Sequence, residues 1–189
     1  KVREVSQKLY DLNPNFENVM AVAEAAKNNA NYNTSIKYFK EAMDKASTDK
    51  EKANIALNIS DAYLNQDQLQ SSRRFARQAI DYNSSCGDPY IQIADIYARA
   101  VNQCTSDRKL TPEDKAVYWL VLDYLDKAKR TDPNTSNEVD RKYQSYKPVT
   151  PSKSEKFFWK PPLEEGESFE IDSSLMKCYG WINETTTVR

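Results

Sequence analysis

Apolar and small side chains recur every three or four residues over residues 1–147, and this spacing constrains the fold more than any other feature. Val19, Val22, Ala23 and Ala26 illustrate it. Side chains at these spacings share one face of an α-helix, whereas in a strand every second residue would share a face. Short polar stretches with Asn, Asp and Pro separate the periodic stretches and predict turns. We therefore expect an all-α region built from paired helices.

The helical stretches also repeat. Residues 16–49 and 53–86 carry small residues at matching positions, and a third stretch begins the same way at Gly87. The matching small residues are Ala23, Ser35 and Ala42 in the first stretch and Ser60, Ser72 and Ala79 in the second. Small side chains let two antiparallel helices approach closely, and aromatic rings such as Phe39 and Tyr63 then fill the space beside them. The alternative is an unrelated helical bundle in which the periodicity arises by chance.

This pattern resembles the tetratricopeptide repeat (TPR), a helix–turn–helix unit of about 34 residues with small residues at slots 8, 20 and 27. Pro14 and Pro133 fall at slot 32, where the repeat has Pro. The resemblance implies an antiparallel helix-pair array, an α-solenoid, with a concave groove that binds proteins or peptides. A small C-terminal β-hairpin extension, described below, completes the expected fold.

The repeat register predicts the organisation of the whole chain. The predicted segments are the second helix of a truncated repeat at 1–14, repeats at 16–52, 53–86 and 87–135, a terminal helix at 136–147, and a Pro-rich link with a β-hairpin cap at 148–189. Because the first helix lacks its partner, Val2, Val5 and Leu9 would be exposed, and we expect further repeats or another cap before Lys1 in the full protein.

The third repeat is longer than the others by about 15 residues between Ala98 and Val121. The extra residues, around 99–111, have two interpretations: a longer helix pair with a surface loop, or an insertion that contacts a ligand. Thr111 and the following Pro, Glu and Asp predict the N-terminus of the next helix.

Composition excludes several classes of protein. The 27 basic and 28 acidic residues leave a formal net charge of -1, which argues against a nucleic-acid binder. Histidine is absent, so His-based catalysis and His metal ligands are excluded, and the 3 glycines cannot build a phosphate loop. No apolar run reaches the roughly 18 residues that a membrane-spanning helix needs. Cys86, Cys104 and Cys178 lack metal-binding spacing, and the sequence leaves open whether two of them form a disulfide.

No local pattern singles out a catalytic pair of carboxylates, and Ser152 with Lys156 lacks the companion motifs of a Ser–Lys nucleophile. We therefore expect no enzyme activity, no catalytic residues, no cofactor and no metal.

The composition changes after Lys147. Strands are predicted at Ser168–Ile171 and Tyr179–Ile182, the second extended by Glu184–Val188, with Asp172–Lys177 as the connection. A two-stranded hairpin is not stable alone, so the nearby aromatic residues are expected to bury against the last helices and cap the array. These residues are Phe157, Phe158, Trp159, Phe169 and Trp181. The alternative is an aromatic surface on which a sugar or a partner stacks.

The tail carries a second resemblance. The string from Gly180 to Arg189, Gly-Trp-Ile-Asn-Glu-Thr-Thr-Thr-Val-Arg, with Phe157–Phe158 and Glu165–Phe169 before it, is similar to the end of a group of uncharacterised TPR proteins from anaerobic Gram-negative bacteria. The resemblance covers about 40 residues. It implies export to the bacterial cell envelope, periplasmic or outer-membrane associated, with a signal peptide outside this chain. It implies no enzyme activity.

We expect a non-enzymatic scaffold that binds a protein or peptide segment in the TPR groove. The residues expected to face the groove are Met20, Glu24, Asn28, Leu57, Asp61, Leu64, Asn65, Ile91, Asp95 and Arg99. An apolar stripe beside Glu24, Asp61 and Asp95 favours an amphipathic, basic partner, with no nucleic acid and no membrane insertion. The acids would repel a carboxylate, so we do not expect the carboxylate clamp of some TPR domains. An alternative interpretation is that the acids only keep the array soluble.

A second hypothesis assigns a different function to the chain. In it, the protein is a glycan- or solute-binding accessory protein of the cell envelope that uses the C-terminal aromatic residues.

Overall fold

The computed structural model describes residues 2–189, with side chains from residue 4 onward. The described chain contains nine α-helices and one two-stranded sheet. In chain order these are α1 (Val2–Leu12), α2 (Phe16–Asn28), α3 (Tyr32–Lys45), α4 (Asp49–Asn65), α5 (Leu69–Tyr82), α6 (Asp88–Cys104), α7 (Pro112–Thr131), α8 (Ser136–Tyr146), α9 (Lys153–Phe158), β1 (Ser168–Ile171) and β2 (Glu184–Thr187). The chain divides into two compact units, Lys1–Gln92 (unit 1) and Ile93–Arg189 (unit 2).

Unit 1 is a series of helices in which each packs against the next, from α1 to α5. Short connections make consecutive helices antiparallel. A buried cluster of apolar side chains from α2, α3 and α4 forms the core. Its members are Val19, Ala23, Ile36, Phe39, Ala42, Ile55, Ile59 and Ala62. The periodic residues of the sequence thus provide the core contacts.

The small residues lie where paired helices meet. Ser60 of α4 and Ser72 of α5 are fully buried, as are Ala23 and Ser35 of the preceding pair. Each serine hydroxyl donates to the backbone carbonyl of the other serine, at 2.8 Å in both directions. Larger side chains at these positions would hold the helices apart, which explains the spacing found in the sequence.

The turns inside the two helix pairs of unit 1 share one backbone conformation. Ala30 and Asp67 have positive φ angles of 55° and 59°. The next residue, Asn31 or Gln68, donates its backbone N–H to a carbonyl five residues earlier at 2.9 Å. This is the hydrogen-bond pattern of a left-handed helix C-cap. Glycine usually occupies the position with the left-handed backbone conformation, but in this chain alanine and aspartate occupy it.

The first helix of unit 1 leaves apolar side chains exposed. Val5 is 57% exposed, Leu9 45% and Leu12 83%. The side chain of Val2, expected to share this face, lies outside the described side chains. On its other side, α1 packs against α2, and Tyr10 contacts Tyr38 edge to face.

Unit 2 is centred on α7, which is apolar on most of its circumference. Trp119, Val121 and Leu125 of α7 are fully buried, and α8 and β2 both pack against this helix. Ala94 of α6 is also fully buried. The extra residues of the third repeat extend α6 to Cys104 and place a loop before α7, and a contact between this loop and a ligand stays a prediction.

The C-terminal sheet confirms the predicted antiparallel pair of strands but differs from the prediction in where the second strand begins. β1 and β2 are antiparallel, with Ser168 opposite Thr187 and Ile171 opposite Glu184. The predicted strand Tyr179–Ile182 is wrong: this segment follows a 3-10 turn at Lys177–Tyr179 and is itself a turn. Tyr179 and Ile182, three residues apart, are both buried, whereas in a strand with one solvent-facing side they would lie on opposite faces and only one would be buried.

The segment predicted as a Pro-rich link contains the short helix α9, and this helix corrects the expected burial of the aromatic residues. Phe157 is 69% exposed and Phe158 75% exposed, so neither caps the last helices. Trp159 and Phe169 are half-buried, and Trp181 packs against Tyr97. Four residues fill the core from the tail instead of the two phenylalanines. They are Ile171, Tyr179, Ile182 and Val188.

Within the described residues, every helix is too short or too polar to cross a bilayer.

Candidate functional site

The predicted groove residues of unit 1 lie on α2 and α4. We call this surface the α2–α4 face and define it by Met20, Glu24, Lys27, Asn28, Leu57, Asn58, Asp61, Leu64 and Asn65. Its apolar side chains, Met20, Leu57 and Leu64, are half-buried, and Glu24 is exposed. The face therefore combines partly exposed apolar surface with polar groups.

A polar network joins the two helices of this face. The Lys27 ammonium forms an ion pair with Asp61 at 3.0 Å and donates to the Asn58 side-chain oxygen at 2.8 Å. The Asn58 amide donates to the Asn54 side-chain oxygen at 2.6 Å, and the Asn65 amide donates to Asp61 at 3.1 Å. These bonds fix the side-chain orientations, so the carboxamide groups are held in place before any ligand arrives.

The network changes the expected electrostatics of the groove. Asp61 belongs to the predicted acidic stripe, but its charge is partly compensated by Lys27. In unit 2, Asp95 accepts from Lys142 at 2.7 and 2.9 Å and is compensated in the same way. Glu24 is the exposed acid of the three. The sequence pattern located the acids correctly on helices but did not reveal their cations, which lie on other helices.

The remaining predicted groove residues differ in exposure. Ile91 is 5% exposed, and its side chain is part of the buried core. Asn28, Asn65 and Arg99 are exposed. Their role in ligand binding stays a prediction.

A pocket of about 290 Å³ opens at one end of α4 in unit 1. Leu57 of the α2–α4 face is part of its wall. The other lining residues are Lys50, Ala53, Asn54, Asn83, Cys86, Asp88 and Pro89. The pocket gives the face a recess that could accept a single apolar side chain.

Unit 2 contains a buried carboxylate that the sequence did not single out. Asp114, fully buried, accepts from both terminal nitrogens of Arg108 at 2.6 and 2.7 Å. It also accepts from the Tyr179 hydroxyl and from the Thr111 backbone N–H, the latter at 2.8 Å. The sequence identified Asp114 only as an acid in the first helical turn, because its partners are distant in the chain.

The protonation state of Asp114 follows from these contacts. Burial alone raises the pKa of the carboxyl group, but hydrogen bonds from Arg108, Tyr179 and Thr111 outweigh it and lower the pKa to about 2. Burial, followed by the hydrogen bond to Asp114, raises the pKa of Tyr179 above its ordinary value. The Asp114 carboxyl group is therefore charged near neutral pH, and its contacts tie Arg108 and Tyr179 to α7.

Further contacts hold the tail of unit 2 against its helices. Cys104 of α6 and Cys178 form a disulfide with Cα atoms 6.2 Å apart, across 74 residues of sequence. The Glu184 carboxylate accepts from the hydroxyls of Tyr97 and Tyr124, the latter at 2.8 Å. Arg189 binds Asp126 at 2.7 Å and also binds Asp123. The tail is therefore fixed at several points along its length.

Comparison with known proteins shows the fold of the chain. No protein-family model matches it, and no curated protein matches it in sequence. Among solved structures, it is similar to "TPR2B-domain:pHsp70-complex of yeast Sti1", with a TM-score of 0.54 and 16% identity over 71% of this chain and 94% of that chain. It is also similar to "Crystal structure of MamA", with a TM-score of 0.47 and 17% identity over 76% of this chain and 90% of that chain.

The likeness to the Sti1 domain, together with the packed antiparallel helices, gives the fold class: a TPR-like helical array with a small two-stranded C-terminal sheet. At 16% sequence identity, a structural likeness shows a shared fold and does not show a shared function.

Proposed function

We propose that the chain is a non-enzymatic scaffold and that it binds a protein or peptide segment on the α2–α4 face. The Sti1 structure that it resembles is a complex of a TPR domain with pHsp70, so one domain of this fold holds a bound partner. The observation that carries the proposal is the Lys27–Asn58–Asp61 network, which fixes polar groups beside the half-buried Met20 and Leu57.

This combination suits an extended or amphipathic segment. Apolar side chains of the ligand would cover Met20, Leu57 and Leu64, while carboxamides such as that of Asn65 would bond to its backbone. Apolar contact supplies most of the affinity, and fixed polar groups supply orientation. The 290 Å³ pocket beside Leu57 would take one apolar anchor residue.

The charge of the face favours a ligand with Lys or Arg. Because Asp61 and Asp95 already have cations within the chain, Glu24 is the acid that we expect to meet a basic ligand residue. Lys27 is held by Asp61 and Asn58, which leaves it poorly placed to bind a ligand carboxylate. We therefore keep the expectation that this domain is not a carboxylate clamp.

The proposal includes a place in the cell. The Cys104–Cys178 disulfide supports export to the envelope, because structural disulfides persist mainly in oxidising compartments. The resemblance of the tail to envelope TPR proteins also supports export to the cell envelope.

A peptide-display selection tests the proposed function. Random 15-residue peptides on phage would be selected against the purified chain, and the strongest binder would be synthesised with a free and with an amidated C-terminus. We expect enrichment of Lys or Arg beside apolar residues, and equal affinity of the two forms. Equal affinity follows if no cation of the face clamps the terminal carboxylate.

Charge reversal then locates the site. Glu24→Lys should weaken binding of the basic peptide about fivefold at low salt, because like charges would face each other. Asp44→Lys makes the same charge change at an exposed position of α3 and should leave the affinity unchanged. Equal loss in both variants, or none in Glu24→Lys, would place the peptide elsewhere.

A further inference from the structure

Two large aromatic rings of unit 2 lie in solvent. Phe157 is 69% exposed and Phe158 75% exposed, and their rings meet edge to face with centroids 5.4 Å apart. Adjacent exposed phenyl rings are uncommon on a folded surface and mark interaction sites. The α2–α4 face includes neither residue, so the function proposed above does not account for them.

Their exposure is not the result of a loose segment, because α9 is anchored at both ends. At its start, Ser152 and Glu155 form a capping box, and Glu155 also accepts from Lys115 of α7 at 2.6 Å. Near its end, the buried Lys156 donates to Glu165 and to the Arg189 carbonyl, both at 2.8 Å. The rings are therefore presented on a fixed support, which lowers the entropy cost of binding.

Trp159, the next residue, lines two grooves. One, of about 440 Å³, is lined by Pro112, Glu113, Ser154, Glu155, Phe158, Trp159 and Lys160. The other, of about 340 Å³, is lined by Glu113, Trp159, Phe169, Glu170, Ser174 and Leu175. The grooves share Glu113 and Trp159, so both offer an aromatic ring, carboxylate oxygens and a serine hydroxyl.

The indole that lines both grooves packs toward the core. Trp159 meets Phe169 edge to face at 5.5 Å, and Phe169 meets the fully buried Trp119 in the same way at 5.5 Å. These two ring contacts connect Trp159 to the buried Trp119 of α7 and fix its position.

The lining chemistry favours a polyhydroxyl ligand. Aromatic faces stack on the C–H faces of sugar rings, and carboxylate and hydroxyl oxygens accept hydrogen bonds from sugar hydroxyls. A lipid surface or an apolar protein surface would have to desolvate Glu113 and Glu170 without bonding to them, which is costly. In the second groove, whose lining has these two acids and no Lys or Arg, they would also repel an anionic glycan. Because the two neighbouring grooves have similar lining residues, they suit a ligand built from repeated, chemically similar units.

We propose that α9 and the two grooves beside Trp159 form a binding site for a neutral oligosaccharide. Phe157 and Phe158 extend the stacking surface, and Glu113, shared by both grooves, orients the sugar hydroxyls. The site lies within unit 2 and is independent of peptide binding in unit 1.

Titration of the purified full chain with neutral hexasaccharides (gluco-, xylo-, manno- and malto-configured) tests this site. We expect at least one to bind with a dissociation constant below 1 mM and to change tryptophan fluorescence. The fluorescence change should disappear in Trp159→Phe, because the other two tryptophans lie outside both grooves.

Calorimetry on matched variants assigns the contacts. Phe157→Ala with Phe158→Ala should lower the affinity at least about tenfold, and Glu113→Gln about threefold, since each removes a stacking or hydrogen-bonding group. Leu12→Ala, which shortens an exposed apolar side chain of unit 1, should bind like the parent.

Several results would overturn the proposal. It fails if no hexasaccharide binds below 1 mM, or if the double phenylalanine variant binds as tightly as the parent. It fails also if zwitterionic phosphatidylcholine vesicles, and no sugar, capture the chain through Phe157 and Phe158, because the surface would then be a membrane anchor.

Discussion

Unit 1 and unit 2 are stabilised by contacts of different range along the chain. In unit 1, the buried hydrogen bonds between Ser60 and Ser72 join residues 12 positions apart, and each helix packs on the next. In unit 2, Tyr179 bonds to Asp114 across 65 positions, and the disulfide spans 74. A solenoid repeat needs only its neighbours, whereas the C-terminal segment of unit 2 must return to helices formed much earlier. The two units should therefore respond differently to the same perturbation.

Removing residues 157–189 is expected to have the largest effect, and only in unit 2. The deletion takes away Ile171, Tyr179, Ile182 and Val188, all at most 2% exposed, and leaves Asp114 without one of its donors. Hydrogen exchange should show loss of protection in α7 and retention in α2–α5, together with lower solubility. The control is the full chain with Phe157→Ala and Phe158→Ala, which should melt like the parent because both rings are exposed.

If the shortened chain stays soluble and α7 stays protected, the tail is a separate ligand-binding element and not part of the core of unit 2.

Reduction of the disulfide should have the next largest effect. Breaking Cys104–Cys178 restores conformational freedom to a long loop of the unfolded chain, which costs about 4 kcal/mol of folding free energy. Urea unfolding of a Cys104→Ser, Cys178→Ser double variant measures the loss of folding free energy. Hydrogen-exchange rates in α6 and α7 then show where protection is lost. Cys86→Ser, in unit 1, serves as the single-thiol control. An equal loss of protection in α2–α5 would show that the two units do not unfold separately.

Asp114 should make the stability of unit 2 depend on acid pH. Its pKa in the folded chain, about 2, lies below the ordinary value of 3.8, so its contribution is complete above about pH 4 and disappears as the pH falls toward 2. The free energies of unfolding of the parent and of Asp114→Asn should converge by about 2 kcal/mol over that range.

The matching change at an exposed acid of unit 1, Asp44→Asn, serves as the control for the substitution itself. A constant difference between parent and Asp114→Asn from pH 5 to pH 2 would mean that the buried carboxylate is not ionised.

The serine pair of unit 1 should give the smallest effect. Ser60→Ala removes the buried hydrogen bond that the Ser60 hydroxyl donates to the Ser72 carbonyl and should cost about 1 kcal/mol in a urea titration. Ser60→Ala with Ser72→Ala should cost less than the sum of the single changes, because the two hydroxyl oxygens lie 3.1 Å apart and share one buried site. Additive losses would show that the pair does not act as one contact.

The same contrast explains what the sequence could predict. The helix pairs of unit 1 followed from small residues at fixed spacing, since Ala23 and Ser60 fill equivalent close approaches. The α2–α4 face followed from the same register, although the pairing of Lys27 with Asp61 did not, because no local pattern links the two helices.

In unit 2 the sequence pattern was misleading at two places. Alternating aromatic residues in Tyr179–Ile182 favoured a strand, but the segment forms a turn that buries both Tyr179 and Ile182. Phe157 and Phe158 favoured a core position by hydrophobicity alone, and their exposure depends on Lys156 and Glu155, which anchor α9 from its other side. Contacts between residues far apart in the sequence produce no periodic pattern, so the sequence alone could not predict them.

The most direct test of the proposed function is a nuclear magnetic resonance titration of the isotopically labelled 21.8 kDa chain with the strongest peptide from the display selection. The account predicts that the largest shifts fall on backbone amides of α2 and α4 and on the side-chain amides of Asn28, Asn58 and Asn65. The same titration of Glu24→Lys should need about fivefold more peptide to reach half-saturation. Shifts confined to α3 and α5, or to unit 2, would contradict a peptide-binding α2–α4 face.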